Sequence, residues 1–170
     1  ATAPVLSVSY AEEPKPNEVD GHRYYQGTAS ITLTVEEHNF NEDDVNFVIT
    51  AVNAAGTDIS ASAAPTYSAW THDGDKHSVT LTFASDANYT LDATYSDLAL
   101  RPYNDLETQA FTVDTVDPAL SVEYKNTTVK KEVDGRYYYD AVQTAVITVI
   151  EQNFSEDGIE YIVSGKNSAG

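Results

Sequence analysis

Apolar and polar residues alternate along most of this chain, and the alternation has a period of two. Ile31, Leu33 and Val35 interleave with Ser30, Thr32 and Thr34. Val45, Phe47, Ile49 and Ala51 form a second set, and Val79, Leu81 and Phe83 a third, between Ser78, Thr80 and Thr82. Tyr89, Leu91, Ala93 and Tyr95 make a fourth, and Phe111 with Val113 a fifth. A two-residue period puts every apolar member on one face of an extended strand. Val5 to Tyr10 is expected to be a further strand at the start. Asp20-Gly21, Asp73-Gly74, Asp86-Ala87-Asn88 and Pro102-Tyr103-Asn104-Asp105 separate the sets, and these residue types favour turns. Asn39 to Asp44 is expected to make one helical turn. No segment sustains a 3.6-residue period, so the chain is expected to be all-β: short strands, each with one apolar face, packed as two antiparallel sheets.

The pattern repeats. Residues 5–56 align without a gap on residues 119–170, at an offset of 114. Leu6-Ser7-Val8 returns as Leu120-Ser121-Val122, and Glu18-Val19-Asp20-Gly21 as Glu132-Val133-Asp134-Gly135. Tyr24-Tyr25 returns as Tyr138-Tyr139, and Glu37-His38-Asn39-Phe40 as Glu151-Gln152-Asn153-Phe154. A period of this length is that of one sandwich domain rather than of a solenoid unit. Val113-Asp114-Thr115-Val116-Asp117-Pro118 is the best junction, because proline holds its predecessor extended and Pro4 lies at the matching place. One repeat is therefore expected over 1–117, and the N-terminal half of a second, about three strands, over 118–170. In that half, Ala145, Ile147, Val149, Ile159, Tyr161 and Val163 are expected to face water. Three positions on the outer face also turn apolar, from Thr28, Thr32 and Glu36 to Val142, Val146 and Ile150. A partner for the half repeat is expected, as a homo-oligomer or a neighbouring repeat.

Charge and composition narrow the chemistry. The formal net charge of -18 repels nucleic acid and anionic lipid, so neither is an expected partner. No apolar run reaches membrane-spanning length, so no membrane insertion of this segment is expected. Cysteine is absent, which removes disulfides and thiol chemistry and leaves stability to the core. The start at Ala1-Thr2-Ala3-Pro4 and the lack of methionine point to a processed or excised piece.

Candidate sites are few. His22, His38, His72 and His77 stand in turn-like or strand-end settings, with no strained nucleophile turn, so no enzyme is expected. Asn41-Glu42-Asp43-Asp44, Asp73-Gly74-Asp75 and Asp114 with Asp117 offer hard oxygen ligands for calcium, but none has the spacing of a calcium loop. Turn and helix-start chemistry accounts for them as well. A Lys–Asn amide crosslink would need a buried lysine, and the first repeat offers Lys15 and Lys76 in polar surroundings. No catalytic, cofactor-binding or metal-binding residue is assigned. Tyr24-Tyr25 and Tyr137-Tyr138-Tyr139 are candidate contact residues for a sugar or a protein, but paired strand residues point to opposite faces, so one of each pair is expected to pack into the sandwich edge instead.

Asp86-Ala87-Asn88-Tyr89-Thr90-Leu91 has the form of a tyrosine corner, with a tyrosine opening the penultimate strand and a core residue two places on. Together with Tyr24-Tyr25, Glu37-His38-Asn39-Phe40, Trp70-Thr71, Tyr95-Ser96-Asp97-Leu98-Ala99 and Phe111-Thr112-Val113-Asp114 before Pro118, it resembles the bacterial immunoglobulin-like repeats of wall-attached, adhesin-like surface proteins of Gram-positive bacteria. The chain departs from that pattern at Leu100-Arg101, where such repeats often have Gly-Asn, and Trp70 follows the third strand rather than lying on it. The resemblance implies an immunoglobulin-like antiparallel β-sandwich outside the cell, at the bacterial surface or wall. It implies a spacer or stalk whose partners are neighbouring repeats, or else an adhesion module for host glycan or protein. It carries over no catalytic centre.

Overall fold

The computed structural model describes residues 3–97, 103, 105–125 and 131–167. Ala1-Thr2, Leu98-Ala99, Leu100-Arg101, Pro102 and Asn104, named in the motifs and turns above, lie outside the described residues. The chain divides into two compact units, Ala1–Thr115 and Val116–Gly170.

The first unit is all-β. Its strands are β1 (Val5–Tyr10), β2 (Asn17–Val19), β3 (His22–Gln26), β4 (Ala29–Glu36), β5 (Val45–Val52), β6 (Thr66–Tyr67), β7 (Thr71–Asp73), β8 (Lys76–Phe83), β9 (Ala87–Tyr95) and β10 (Gln109–Asp114). One sheet has the order β1-β4-β8-β6, with β7 also on β8, and the other β2-β3-β10-β9-β5. Both contribute to one core. Ile31, Leu33 and Val35 of β4 and Val79, Leu81 and Phe83 of β8 meet Tyr89, Leu91, Ala93 and Tyr95 of β9 and Phe111 and Val113 of β10, all buried. These are the alternating sets of the sequence, pointing inward as the two-residue period requires. On the outer face of the first sheet, hydroxyls pair across strands: Ser30 with Thr82 at 3.3 Å, Thr32 with Thr80 at 2.9 Å and Thr34 with Ser78 at 2.8 Å.

The structure refines or departs from the expected plan in places. The sheets are not wholly antiparallel, because β3 runs parallel to β10, with Thr112 opposite Tyr24 and Val113 opposite Tyr25. A short β2–β3 hairpin precedes that contact, turning at Asp20 (φ 52) and Gly21 (φ 80), both left-handed. Ala87 and Asn88, expected in a turn, already belong to β9. The helical turn expected near Asn39–Asp44 is a single 3-10 turn, Glu42–Asp44.

Chain direction follows from register. Val5 pairs with Glu36, which pairs with Lys76, and the segment after β4 leads to Val45, opposite Tyr95. Val113 instead pairs with Ala87, just after the Phe83 end of β8, and Thr115 N donates to Asp86 Oδ2 at 2.9 Å. The chain therefore begins β1 at one end of the unit and leaves β10 at the other.

The second unit repeats part of this plan. It contains β11 (Ala119–Tyr124), β12 (Lys131–Val133), β13 (Arg136–Tyr138) and β14 (Ala145–Ile150). β11 pairs with β14 in the register of β1 with β4: Leu120 faces Val149 as Leu6 faces Val35. β12 and β13 repeat the β2–β3 hairpin, with Asp134 (φ 50) and Gly135 (φ 76) at its turn. They form a separate two-stranded sheet, since β3 joins its sheet through β10, which has no counterpart among the described residues of the second unit. Ile159 to Val163, expected as the third strand, is not one. In the first unit its equivalent, β5, is held along its length by β9, and β9 too has no counterpart among the described residues of the second unit. Of the residues expected to be wet, Ala145, Ile147, Ile159, Tyr161 and Val163 are exposed, and Val149 is half-buried.

Candidate functional site

Each histidine of the first unit is held by a neighbour. His22 Nε2 lies 2.9 Å from Thr112 Oγ1. The Thr112 hydroxyl donates to Asn88 Oδ1 at 2.6 Å, so it accepts from His22 Nε2–H. His77 is buried, with Nε2 2.9 Å from the Glu37 carbonyl, which can only accept. Its Nδ1 is left as an acceptor, and His72 Nδ1 donates to it at 2.8 Å. Phe40 stacks on the His77 ring at 4.2 Å and also meets Trp70 at 4.8 Å and Tyr95 at 5.6 Å. His38 is exposed, its Nδ1 2.9 Å from Asp75 Oδ1. The hydrogen bond to Asp75, and then the charge of that carboxylate, raise the His38 pKa above its usual value.

The acidic candidates are spread through turns. Asn41 Nδ2 donates to Asp44 Oδ2 at 2.9 Å across the 3-10 turn. Asp73 and Asp75 flank Gly74 (φ 61) in the β7–β8 hairpin, and Asp114 ends β10. Among the described residues, no three His, Asp or Glu side chains are grouped so as to hold a metal ion. Lys15 and Lys76 are both exposed.

Tyrosines line a concavity that recurs in the two units. Consecutive strand residues face opposite ways, so Tyr25 is buried while Tyr24 lies half-exposed against His22, ring centres 4.7 Å apart. Tyr25 and Tyr10 line a groove of about 750 Å³ with Glu18 and Arg23. Arg23 Nε pairs with Glu18 Oε1 at 3.0 Å, and its guanidinium lies 4.3 Å from the Tyr10 ring centre. Tyr10 donates its hydroxyl proton to Gln109 Oε1 at 3.1 Å. Burial raises the pKa of both phenols, and the Arg23 charge offsets part of the shift. The second unit has a groove of about 430 Å³ at the equivalent place, lined by Tyr124, Arg136, Tyr137, Tyr138 and Tyr139. At the 114-residue offset Tyr10, Glu18 and Tyr25 are kept as Tyr124, Glu132 and Tyr139, while Arg23 becomes Tyr137. That retention is the sequence signal for Tyr10 and Glu18, which alternation and motif alone do not single out. In the first groove Tyr25 is buried and Arg23 covers the Tyr10 ring, whereas Tyr137 and Tyr138 of the second are exposed, and exposed aromatic faces suit stacking against a sugar or a peptide side chain.

Compared with known proteins, the sequence matches no family model and no curated sequence. Among the described residues no helix is long and apolar enough to cross a membrane.

Proposed function

We propose that this chain is a non-enzymatic spacer or stalk segment of a bacterial extracellular surface protein, made of one immunoglobulin-like repeat and the N-terminal half of a second. The observation that carries this reading is the placement of the two terminal strands of the first unit. β1 begins at one end and β10 finishes at the other, so the chain passes through the first unit from end to end and a pull on it loads that unit along its length. Tension between the ends pulls each strand along its own axis. All six register pairs of β1 with β4 are then loaded together, as are those of β10 with β9 and β3. Bonds loaded together resist more than bonds opened one at a time. The immunoglobulin-like reading is supported by the order β1-β4-β8-β6 against β10-β9-β5, which follows the A-B-E-D and G-F-C order of such sandwiches. It is supported too by the Tyr89 hydroxyl, which reaches back to the carbonyls of Ser85 at 3.0 Å and Ala63 at 3.3 Å.

Single-molecule pulling tests the spacer reading. Stretched from residue 5 to residue 114, the first unit is expected to unfold at several-fold higher force than when β7 and β8 are peeled apart from their hairpin end. Equal forces in the two directions would remove the mechanical argument. The recurring tyrosine groove favours a second reading, adhesion to host glycan or protein. A glycan array with wild type and Tyr10→Ala tests it: specific binding lost in the variant supports adhesion, and binding to no glycan leaves the groove without a sugar ligand.

A further inference from the structure

Among the described residues β14 pairs with β11 alone, so its second edge presents unpaired backbone groups. The first unit shows what belongs there. Its equivalent strand, β4, has β1 on one side and β8 on the other. β11 already stands where β1 stands, in the same register. The missing neighbour of β14 is thus a strand in the position of β8. Exposure agrees: Leu33 is 1% exposed under its complete sheet, whereas its equivalent Ile147 is 45% exposed.

The cross-strand register specifies the chemistry of that neighbour. On the outer face of the first unit, Ser30 faces Thr82, Thr32 faces Thr80, Thr34 faces Ser78 and Glu36 faces Lys76. The first three pairs are hydrogen-bonded hydroxyls, and the fourth joins opposite charges. At the 114-residue offset these β4 positions become Thr144, Val146, Thr148 and Ile150. Two hydroxyls are kept. The other two positions lose their polar group, so a copy of β8 would place Thr80 against valine and Lys76 against isoleucine. Across strands, hydroxyls stabilise one another by hydrogen bonding and opposite charges by attraction, while an aliphatic side chain is best placed opposite another that shields it from water.

We propose that the open edge of β14 docks one antiparallel strand, supplied by a segment outside these 170 residues. That strand carries hydroxyl residues opposite Thr144 and Thr148 and aliphatic residues opposite Val146 and Ile150. Its inward positions are apolar, as Val79, Leu81 and Phe83 are in β8. The inference rests on the repeat reading, and it adds the specificity: the second unit selects a strand different from the one that the first unit contains.

The test extends the full chain. A copy of residues 57–115 is appended after Gly170, where the 114-residue offset continues without a gap. A second version carries Lys76→Val and Thr80→Val in the appended copy only, and a third carries the same two changes in the first unit only. Thermal unfolding and amide hydrogen exchange are followed for each. The appended half is expected to produce a second cooperative transition and to protect the amides of Ala145–Ile150. The two changes are expected to raise that transition by several degrees in the appended copy, and to lower the first unit's transition when made there. A second transition without this reversal of sign would overturn the specificity and leave the repeat reading standing. No second transition and no protection in either appended version would overturn the repeat reading itself. Protection of Ala145–Ile150 in the unextended chain, with a dimer mass by light scattering, would make a second copy the occupant and also overturn the proposal.

Discussion

Tyr89 shows how a single side chain closes an end of the first unit. Its ring is 2% exposed, stacked on Phe111 at 5.3 Å and edge-on to Phe83 at 4.9 Å, while its hydroxyl serves the Ser85 and Ala63 carbonyls. Tyr89→Phe keeps the ring and strands those acceptors. A lost buried hydrogen bond costs about 1–2 kcal/mol, and urea unfolding should show that loss without a change of slope. The position was legible in the sequence because tyrosine two residues before a core leucine, just after a turn, has few other uses. The groove around Tyr25 was not, since nothing local says that Arg23 returns over the Tyr10 ring. The buried phenols also set a pH limit. Burial raises the pKa of Tyr25, Tyr89 and Tyr95 above the ordinary value of 10.0. The unfolded chain then ionises first, so stability holds below pH 10 and is lost as pH rises through the folded values. In an alkaline absorbance titration these tyrosines should ionise late, together with loss of the fold. Smooth titration of all twelve tyrosines near their ordinary value, with the fold intact, would contradict the assigned burial.

Among elements, β10 carries the heaviest duty, because it joins the parallel β3 to the antiparallel β9. Thr112 at its centre is fully buried, donating to Asn88 on β9 and accepting from His22 on β3. Thr112→Val keeps the shape and removes both bonds. An expected loss of about 1–3 kcal/mol in chemical unfolding follows from leaving those partners unmet. The unfolding force along the chain should fall as well, since the same bonds tie the terminal strand. A variant with wild-type stability and force would mean that the three-strand link carries no load. Strands β4, β8 and β9 were legible as strict alternations, for each has one face in the core. The β2–β3 hairpin was legible only at its Asp20-Gly21 turn, because β2 is exposed throughout and has no apolar face to mark it. The parallel pairing was invisible for a different reason. Alternation says which way a strand faces and nothing of which strand lies beside it. The Ile159–Val163 segment makes the same point from the other side: its pattern is that of β5, yet no strand forms without a β9.

At the scale of the molecule, nearly the same strand meets two surroundings. β4 and β14 share their inward pattern and their first neighbour, β1 or β11. What differs is the second sheet and the second neighbour, present for β4 and absent for β14 among the described residues. Leu6 is 2% exposed, and its equivalent Leu120 is 66% exposed. Full burial of one such side chain is worth about 1.5–3 kcal/mol, so the second unit forgoes several such contributions over Leu120, Val122 and Ile147 alone. A two-stranded pair without a covered apolar face is at best marginally stable. Amide hydrogen exchange reads this difference strand by strand. The β4 amides are expected to exchange only through global unfolding of the first unit, at a free energy on the order of 5–15 kcal/mol. The β14 amides, in the same register against β11, are expected to open at a small fraction of that cost. Comparable protection in both strands would mean that β11 and β14 hold without a second sheet, and that local sequence rather than completion of the sandwich decides stability here.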